Sequence, residues 1–229
     1  MTSSTITLTA ADGFQSSAYV SEPAQAPEGA IVVLQEIFGV NAHIRSVADR
    51  FAAAGYLAIA PALFDRVERD VEMGYLPEDM KRGSALKAAV EALPDNGVMP
   101  DIRAAVEYAA RGGKVGVVGY CWGGLLSWRA AEHIAELSAA VTYYGGGMTM
   151  GTEISRTPSV PVMSHFGNLD KHITSSSVEA FEQRHPEVEV HRYDADHGFN
   201  CDLRGSYNAG AAAAALERTL FHFGKHLGS

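Results

Sequence analysis

One cysteine sits in a glycine-flanked turn that could present it as a nucleophile. The stretch Lys114-Val-Gly-Val-Val-Gly-Tyr-Cys-Trp-Gly-Gly124 opens as a continuous apolar run and closes in G-x-C-x-G, and a helix-period stretch follows from about Leu125. Strand, sharp turn and helix around one nucleophilic side chain make an elbow that pushes that side chain out above a sheet, here with cysteine in place of serine. The middle residue is held in a strained conformation, and side chains two positions to either side would collide with the neighbouring strand and helix. The helix N-terminus behind the sulfur favours thiolate over thiol. An unassisted thiol is only about 3% ionised at pH 7, so the cysteine needs a base. A buried structural cysteine in a glycine-rich turn is the competing reading of this motif alone. Two later positions weigh against it. Asp170 follows the apolar run Val160–Phe166 in Gly167-Asn-Leu-Asp170, and His197 follows Val188–Tyr193 in Asp194-Ala-Asp-His197-Gly-Phe199. Cys121, Asp170 and His197 thus come in the order nucleophile, acid, base, each just past the carboxyl end of a candidate strand. In such a triad His197 takes or shares the thiol proton, and Asp170 fixes its tautomer and stabilises the imidazolium.

Other clusters point less clearly to chemistry. His185, His191 and His197 with Asp194 and Asp196 can be imagined around a metal, but a six-residue spacing fits neither one helix face nor a tight loop, so no metal is expected. Gly145-Gly-Gly147 lacks the spacing and the Lys-Ser/Thr of a phosphate loop, and is read as a loop passing close to the site. No cofactor is expected.

The elements that must hold these residues alternate between short apolar runs and helical periodicity, as in a parallel sheet flanked by helices. Candidate strands are Ala30–Leu34, Leu57–Ala60, Val115–Val118, Ala139–Tyr144, Val160–Met163 and Val188–Tyr193, and Thr5–Thr9 with Ser16–Val20 suit a hairpin around Asp12-Gly13. Ile44, Val47, Ala48 and Phe51 mark a helix that Asn41 can cap and Gly55 can end. Ile102, Ala105, Val106 and Ala109 mark a second, followed by Gly112, and Leu216, Leu220 and Phe223 are expected as the inner stripe of a third. Residues 65–96 carry many charges and a short amphipathic piece around Ala85–Leu93. This stretch is either a solvated insertion or a wall of a site at the carboxyl edge of the sheet.

The chain has 229 residues, 47% hydrophobic and 20% charged, with a net charge of −9. That composition supports a full core and excludes wholesale disorder. The acidic balance argues against nucleic acid as a partner. No apolar run reaches the length of a bilayer span, and the Thr/Ser-rich N-terminus lacks a signal pattern. Two cysteines make no disulfide framework. These features lead us to expect one domain over residues 1–229, cytoplasmic, a monomer or small homo-oligomer.

With those residues in place, the sequence resembles the dienelactone hydrolase family (carboxymethylenebutenolidases), a cysteine branch of the α/β-hydrolases. The resemblance runs from about Ala30 to Phe223. It is carried by Gln35-Glu-Ile-Phe-Gly-Val-Asn41, Gly113-Lys-Val-Gly-Val-Val-Gly-Tyr-Cys121, Tyr143-Tyr-Gly145, Asp170, His197-Gly-Phe199 and Glu217-Arg-Thr-Leu220. It implies an α/β-hydrolase fold with a mostly parallel central sheet, and cleavage of a small ester or enol lactone through a thioester on Cys121. It implies that Glu36 holds the resting cysteine and takes part in its conversion to thiolate when substrate arrives; the plainer reading is a surface Glu before a turn. It implies an oxyanion hole from the backbone N–H groups of Ile37 and Trp122, and substrate contacts from Arg82 and Tyr144. The family's second carboxylate-clamping arginine is expected four residues after His197, where this chain has Cys201, with Arg204 three residues further. The resemblance therefore reaches the reaction class and stops short of dienelactone as substrate. A thioesterase or general carboxylesterase, a non-catalytic ligand-binding relative and a thiol sensor using Cys121 and Cys201 are the alternatives.

Overall fold

The computed structural model describes residues 1–94 and 97–228. Asp95 and Asn96, the last two positions of the charged stretch 65–96, lie outside the described residues. Eight strands and six α-helices form among the described residues. The chain divides into two compact units, Met1–Val115 and Gly116–Gly228.

The first unit begins with the hairpin β1 (Thr2–Thr9) and β2 (Gln15–Glu22), paired antiparallel around Asp12-Gly13. The strands β3 (Ala30–Leu34) and β4 (Leu57–Pro61) pair parallel, and the order is β1-β2-β4-β3. Every residue of β3 and β4 is buried, as expected of strands covered on both faces. Helix α1 (Ala42–Ala53) starts where Asn41 Oδ1 accepts the Ile44 N–H at 3.2 Å, and it presents Ile44, Val47, Ala48 and Phe51 inward. The amphipathic piece in the charged stretch is longer than the sequence suggested: α2 runs over Pro77–Glu91. Proline can open a helix because its missing N–H is not needed there, so the helix starts at Pro77, well before Ala85. The third helix, α3 (Met99–Ala109), buries Ile102, Ala105, Val106 and Ala109.

The second unit contains β5 (Val115–Tyr120, from Gly116 onward), β6 (Leu137–Tyr143), β7 (Val162–Gly167) and β8 (Glu189–Tyr193), in that spatial order. β6, β7 and β8 pair parallel. β7 starts two residues later than the apolar run, because Pro161 stands inside the run and has no N–H for the ladder. Helix α4 (Trp122–His133) starts directly after Cys121, three residues before the expected Leu125. Helix α5 (Ser175–Arg184), capped by Thr174, buries only Val178 and Phe181, too sparse a pattern to be read from sequence.

The expected inner stripe of α6 (Ala209–Leu227) needs correction. Leu216 and Leu220 are only half-buried, and the packed face carries Ala212, Ala215, Thr219, His222 and Phe223. Hydropathy points to the leucines, but the threonine goes inside because its hydroxyl has partners there. Thr219 Oγ1 lies 2.7 Å from the Tyr143 hydroxyl and 3.0 Å from His165 Nε2, so its burial leaves no unmet hydrogen bond. Among the described residues no helix is long and apolar enough to cross a membrane.

Candidate active site

The second unit brings Cys121, Asp170 and His197 together. The backbone at Cys121 has φ 55° and ψ −115°, a left-handed conformation that costs on the order of 1–3 kcal/mol and persists only where surroundings hold it. Those surroundings are specific. The Cys121 N–H donates to the Tyr143 carbonyl at 3.0 Å, and the Cys121 carbonyl accepts from Gly124 at 3.0 Å and Leu125 at 3.3 Å. At Gly119 a Cβ would stand 1.8 Å from the Gly123 carbonyl oxygen, so only glycine lets the strand turn this tightly into α4. The cysteine is therefore the N-cap of a twelve-residue helix, where the dipole favours negative charge.

Asp170 and His197 come from the loops after β7 and β8. His197 Nδ1 donates to Asp170 Oδ2 at 2.6 Å, and the backbone N–H groups of His172 and Ile173 donate to Asp170 Oδ1 at 2.8 and 3.2 Å. With Nδ1 committed to Asp170, Nε2 is the ring nitrogen left to serve Cys121, whose influence on His197 is felt in its pKa. Burial by itself would pull the His197 pKa down. A negative charge on Cys121 and the bonds to Asp170 and Cys121 outweigh it, raising the value to about 10. Burial would likewise raise Asp170, but the hydrogen bond from His197, the imidazolium charge and the two backbone donors hold its carboxyl below the usual value. The three groups can carry a thiolate–imidazolium pair steadied by a buried carboxylate.

Tyr144 has φ 39°, is fully buried, and lies with its ring 5.1 Å from that of His197 and 5.2 Å from Phe199. Trp122 is buried and opens α4, at the end where helix N–H groups point along the axis. The glycine loop after β6 approaches α4 closely: a Cβ on Gly124 would stand 2.8 Å from the Gly145 Cα. The three histidines considered for a metal are apart in role. His185 bonds to the Ile154 carbonyl and to Glu187, His191 stacks on His165, and His197 is held by Asp170. Cys201 is completely buried.

Glu36, Ile37 and Arg82 belong to the first unit. Glu36 is only 1% exposed, which removes the surface-glutamate reading. It lies two residues past the end of β3, after Gln35, whose side-chain amide bonds to the Glu36 carbonyl and the Leu63 N–H. Arg82 lies on α2, half-exposed and ion-paired with Glu68. Asp170 accepting from the N–H groups two and three residues on is a turn that aspartate favours, a signal present in the sequence. Gln35 is marked in the sequence only as a polar residue at the end of an apolar strand.

Residues 16–227 match the dienelactone hydrolase family. A carboxymethylenebutenolidase of Pseudomonas putida is 33% identical over 94% of this chain and 93% of its own. A Synechocystis protein provisionally described as a carboxymethylenebutenolidase is 35% identical over 89% of each chain. A crystal structure from Klebsiella pneumoniae, provisionally described as a dienelactone hydrolase, has 30% identity and a TM-score of 0.84, covering 98% of this chain and all of that one. On this evidence the chain has the α/β-hydrolase fold and belongs to the dienelactone hydrolase family, hydrolases that act on ester bonds.

Proposed function

We propose that this protein hydrolyses a small ester or enol lactone through a thioester on Cys121, working as a single domain. His197 Nε2 takes the proton from Cys121 Sγ, and the sulfur attacks the substrate carbonyl carbon. The oxyanion is received by the backbone N–H groups of Ile37 and Trp122. The His197 imidazolium then protonates the departing oxygen, leaving the acyl group on sulfur. A water deprotonated by His197 attacks the thioester, the acid leaves, and the thiol regains its proton. Asp170 stays ionised throughout and holds the imidazole in the working tautomer.

The observation that carries this reading is the 2.6 Å bond between His197 Nδ1 and Asp170 Oδ2, in the same unit as Cys121 on its strained elbow. Glu36 we read, on the family resemblance and its burial, as the acid that governs Cys121 before substrate arrives; a carboxylate beside a thiol disfavours the thiolate. Arg82 and Tyr144 we read as substrate contacts, with Arg82 selecting a carboxylate. The thiol chemistry, and two cysteines without a disulfide, suit a reducing cytoplasm. Replacing Cys121 with Ala should abolish turnover of p-nitrophenyl acetate and of small lactones, and intact mass spectrometry should lose the acyl adduct. Retained turnover in that variant overturns the reading, and a wild type inert to every ester and lactone tried favours a non-catalytic relative.

A further inference from the structure

The N–H of Ile37 belongs to the peptide unit whose carbonyl is that of Glu36. A trans peptide points its N–H and C=O in opposite directions, so whatever fixes the Glu36 oxygen aims the Ile37 donor. That oxygen is gripped by the side chain of Gln35. Gln35 Nε2 donates to the Glu36 carbonyl at 3.2 Å, and Gln35 Oε1 accepts the Leu63 N–H at 3.1 Å, with Gln35 itself fully buried. The orientation of this amide is forced. Leu63 N–H can only donate and Glu36 O can only accept, so the side chain has one way to sit between them. The far anchor, Leu63, follows β4 (Leu57–Pro61) by two residues, so the clamp ties the end of β3 to the chain leaving its parallel neighbour.

The next peptide is held as well. Gly83 of α2 lies so close to the Ile37 carbonyl that a Cβ there would stand 2.1 Å from its oxygen. The two carbonyls on either side of the Ile37 Cα are therefore both constrained, one by a hydrogen bond and one by contact with a helix. A hydrogen bond to a peptide carbonyl also polarises that peptide and strengthens its N–H as a donor.

From this we infer that Gln35 is a positioning residue for the oxyanion: it aims and polarises the Ile37 N–H through the Glu36 carbonyl without touching substrate. The inference rests on the reading above that Ile37 is an oxyanion donor. Removing a donor outright costs on the order of 10²–10³ in rate, so loosening its aim should cost less, about 10- to 100-fold. The test compares two reactions of the same sulfur. Acylation by p-nitrophenyl acetate passes through an oxyanion; alkylation by iodoacetamide displaces iodide and forms none. Gln35→Met, close in volume and unable to hydrogen-bond, should acylate about 10- to 100-fold more slowly with KM little changed, while its alkylation rate stays at the wild-type value. Equal losses in both reactions, or unchanged acylation, overturn the inference. Should Gln35→Met fail to fold, Gln35→Glu serves: its protonated carboxyl can donate to the Glu36 oxygen and its carboxylate cannot. The ratio of its acylation rate to that of wild type should then rise as pH falls, and a flat ratio refutes the role. Loss of acylation in Cys121→Ala alongside normal Gln35 variants would sink this inference alone. Undiminished acylation in Cys121→Ala would sink the reading beneath it.

Discussion

The imidazole of His197 carries two opposed effects, and their balance gives a pH prediction. Burial disfavours its charge, yet the charge on Cys121 and the bond to Asp170 lift its pKa to about 10 against an ordinary 6.5. The stabilisation of the imidazolium is thus fully present below 6.5 and disappears as pH rises through about 10. The acylation rate should accordingly fall on an alkaline limb near that value. Asp170→Asn removes one of the charges that raise it, so the limb should move to lower pH and kcat should drop about a hundredfold or more, because the tautomer is no longer enforced. An unmoved limb in stopped-flow pH profiles would show that Asp170 does not govern the base. Arg82 presents a different balance. Its ion pair with Glu68 joins two half-exposed side chains, and such pairs contribute about 0–1 kcal/mol, so a substrate carboxylate can displace Glu68 cheaply. Arg82→Ala should lower kcat/KM for a carboxylated lactone about tenfold and spare a neutral ester of similar size. Equal losses on both substrates would make Arg82 structural.

Among the elements, the hairpin turn and α3 meet through one arginine. Arg66 donates to Asp101 on α3 through Nε at 2.6 Å and Nη2 at 2.9 Å, and to Asp12 in the β1–β2 turn at 2.7 Å. Asp101 is almost wholly buried, and burial raises its pKa even with Arg66 beside it. Removing one partner of a buried pair leaves the other charge uncompensated, at about 3 kcal/mol or more. Arg66→Met should lower stability by that amount in urea titrations at pH 7. Because a raised carboxyl pKa means the ionised form is penalised in the fold, the deficit should shrink as pH falls and Asp101 takes up a proton. A deficit independent of pH would place the loss elsewhere, in packing. At this scale the strands and helices that carry Cys121, Asp170 and His197 were legible in sequence. Continuous apolar runs and cap residues such as Asn41 are local signals, formed by neighbours in the chain. The face of α6 was not legible, since Thr219 is buried by partners on β6 and β7 that no window of sequence contains.

Taken as a whole, the chain contains two compact units and one proposed catalytic domain. Both tryptophans, Trp122 and Trp128, lie in the second unit and are buried, so their fluorescence reports that unit. Far-UV circular dichroism reports the helices and strands of both. If the chain works as a single domain, the two signals should trace one coincident transition in urea. A tryptophan transition displaced from the circular dichroism curve would mean that the units unfold separately. The positions of Cys121, Asp170 and His197 just past successive strands were open to reading from residue order alone, because an elbow and two post-strand loops are short-range patterns that an α/β chain repeats in a set order. Composition likewise bounded the partners through its charge of −9. The tertiary structure decided the rest: that Glu36 is buried, that Arg82 is engaged by Glu68, that two backbone N–H groups steady Asp170, and that Gln35 grips the Glu36 carbonyl. The burial of Glu36, the pairing of Arg82 and the anchoring of Gln35 on Leu63 depend on where distant chain comes to rest, whereas the donors on Asp170 come from the turn directly after it. Burial and hydrogen-bond geometry are properties of neighbours in space, and the order of residues along a chain does not state them.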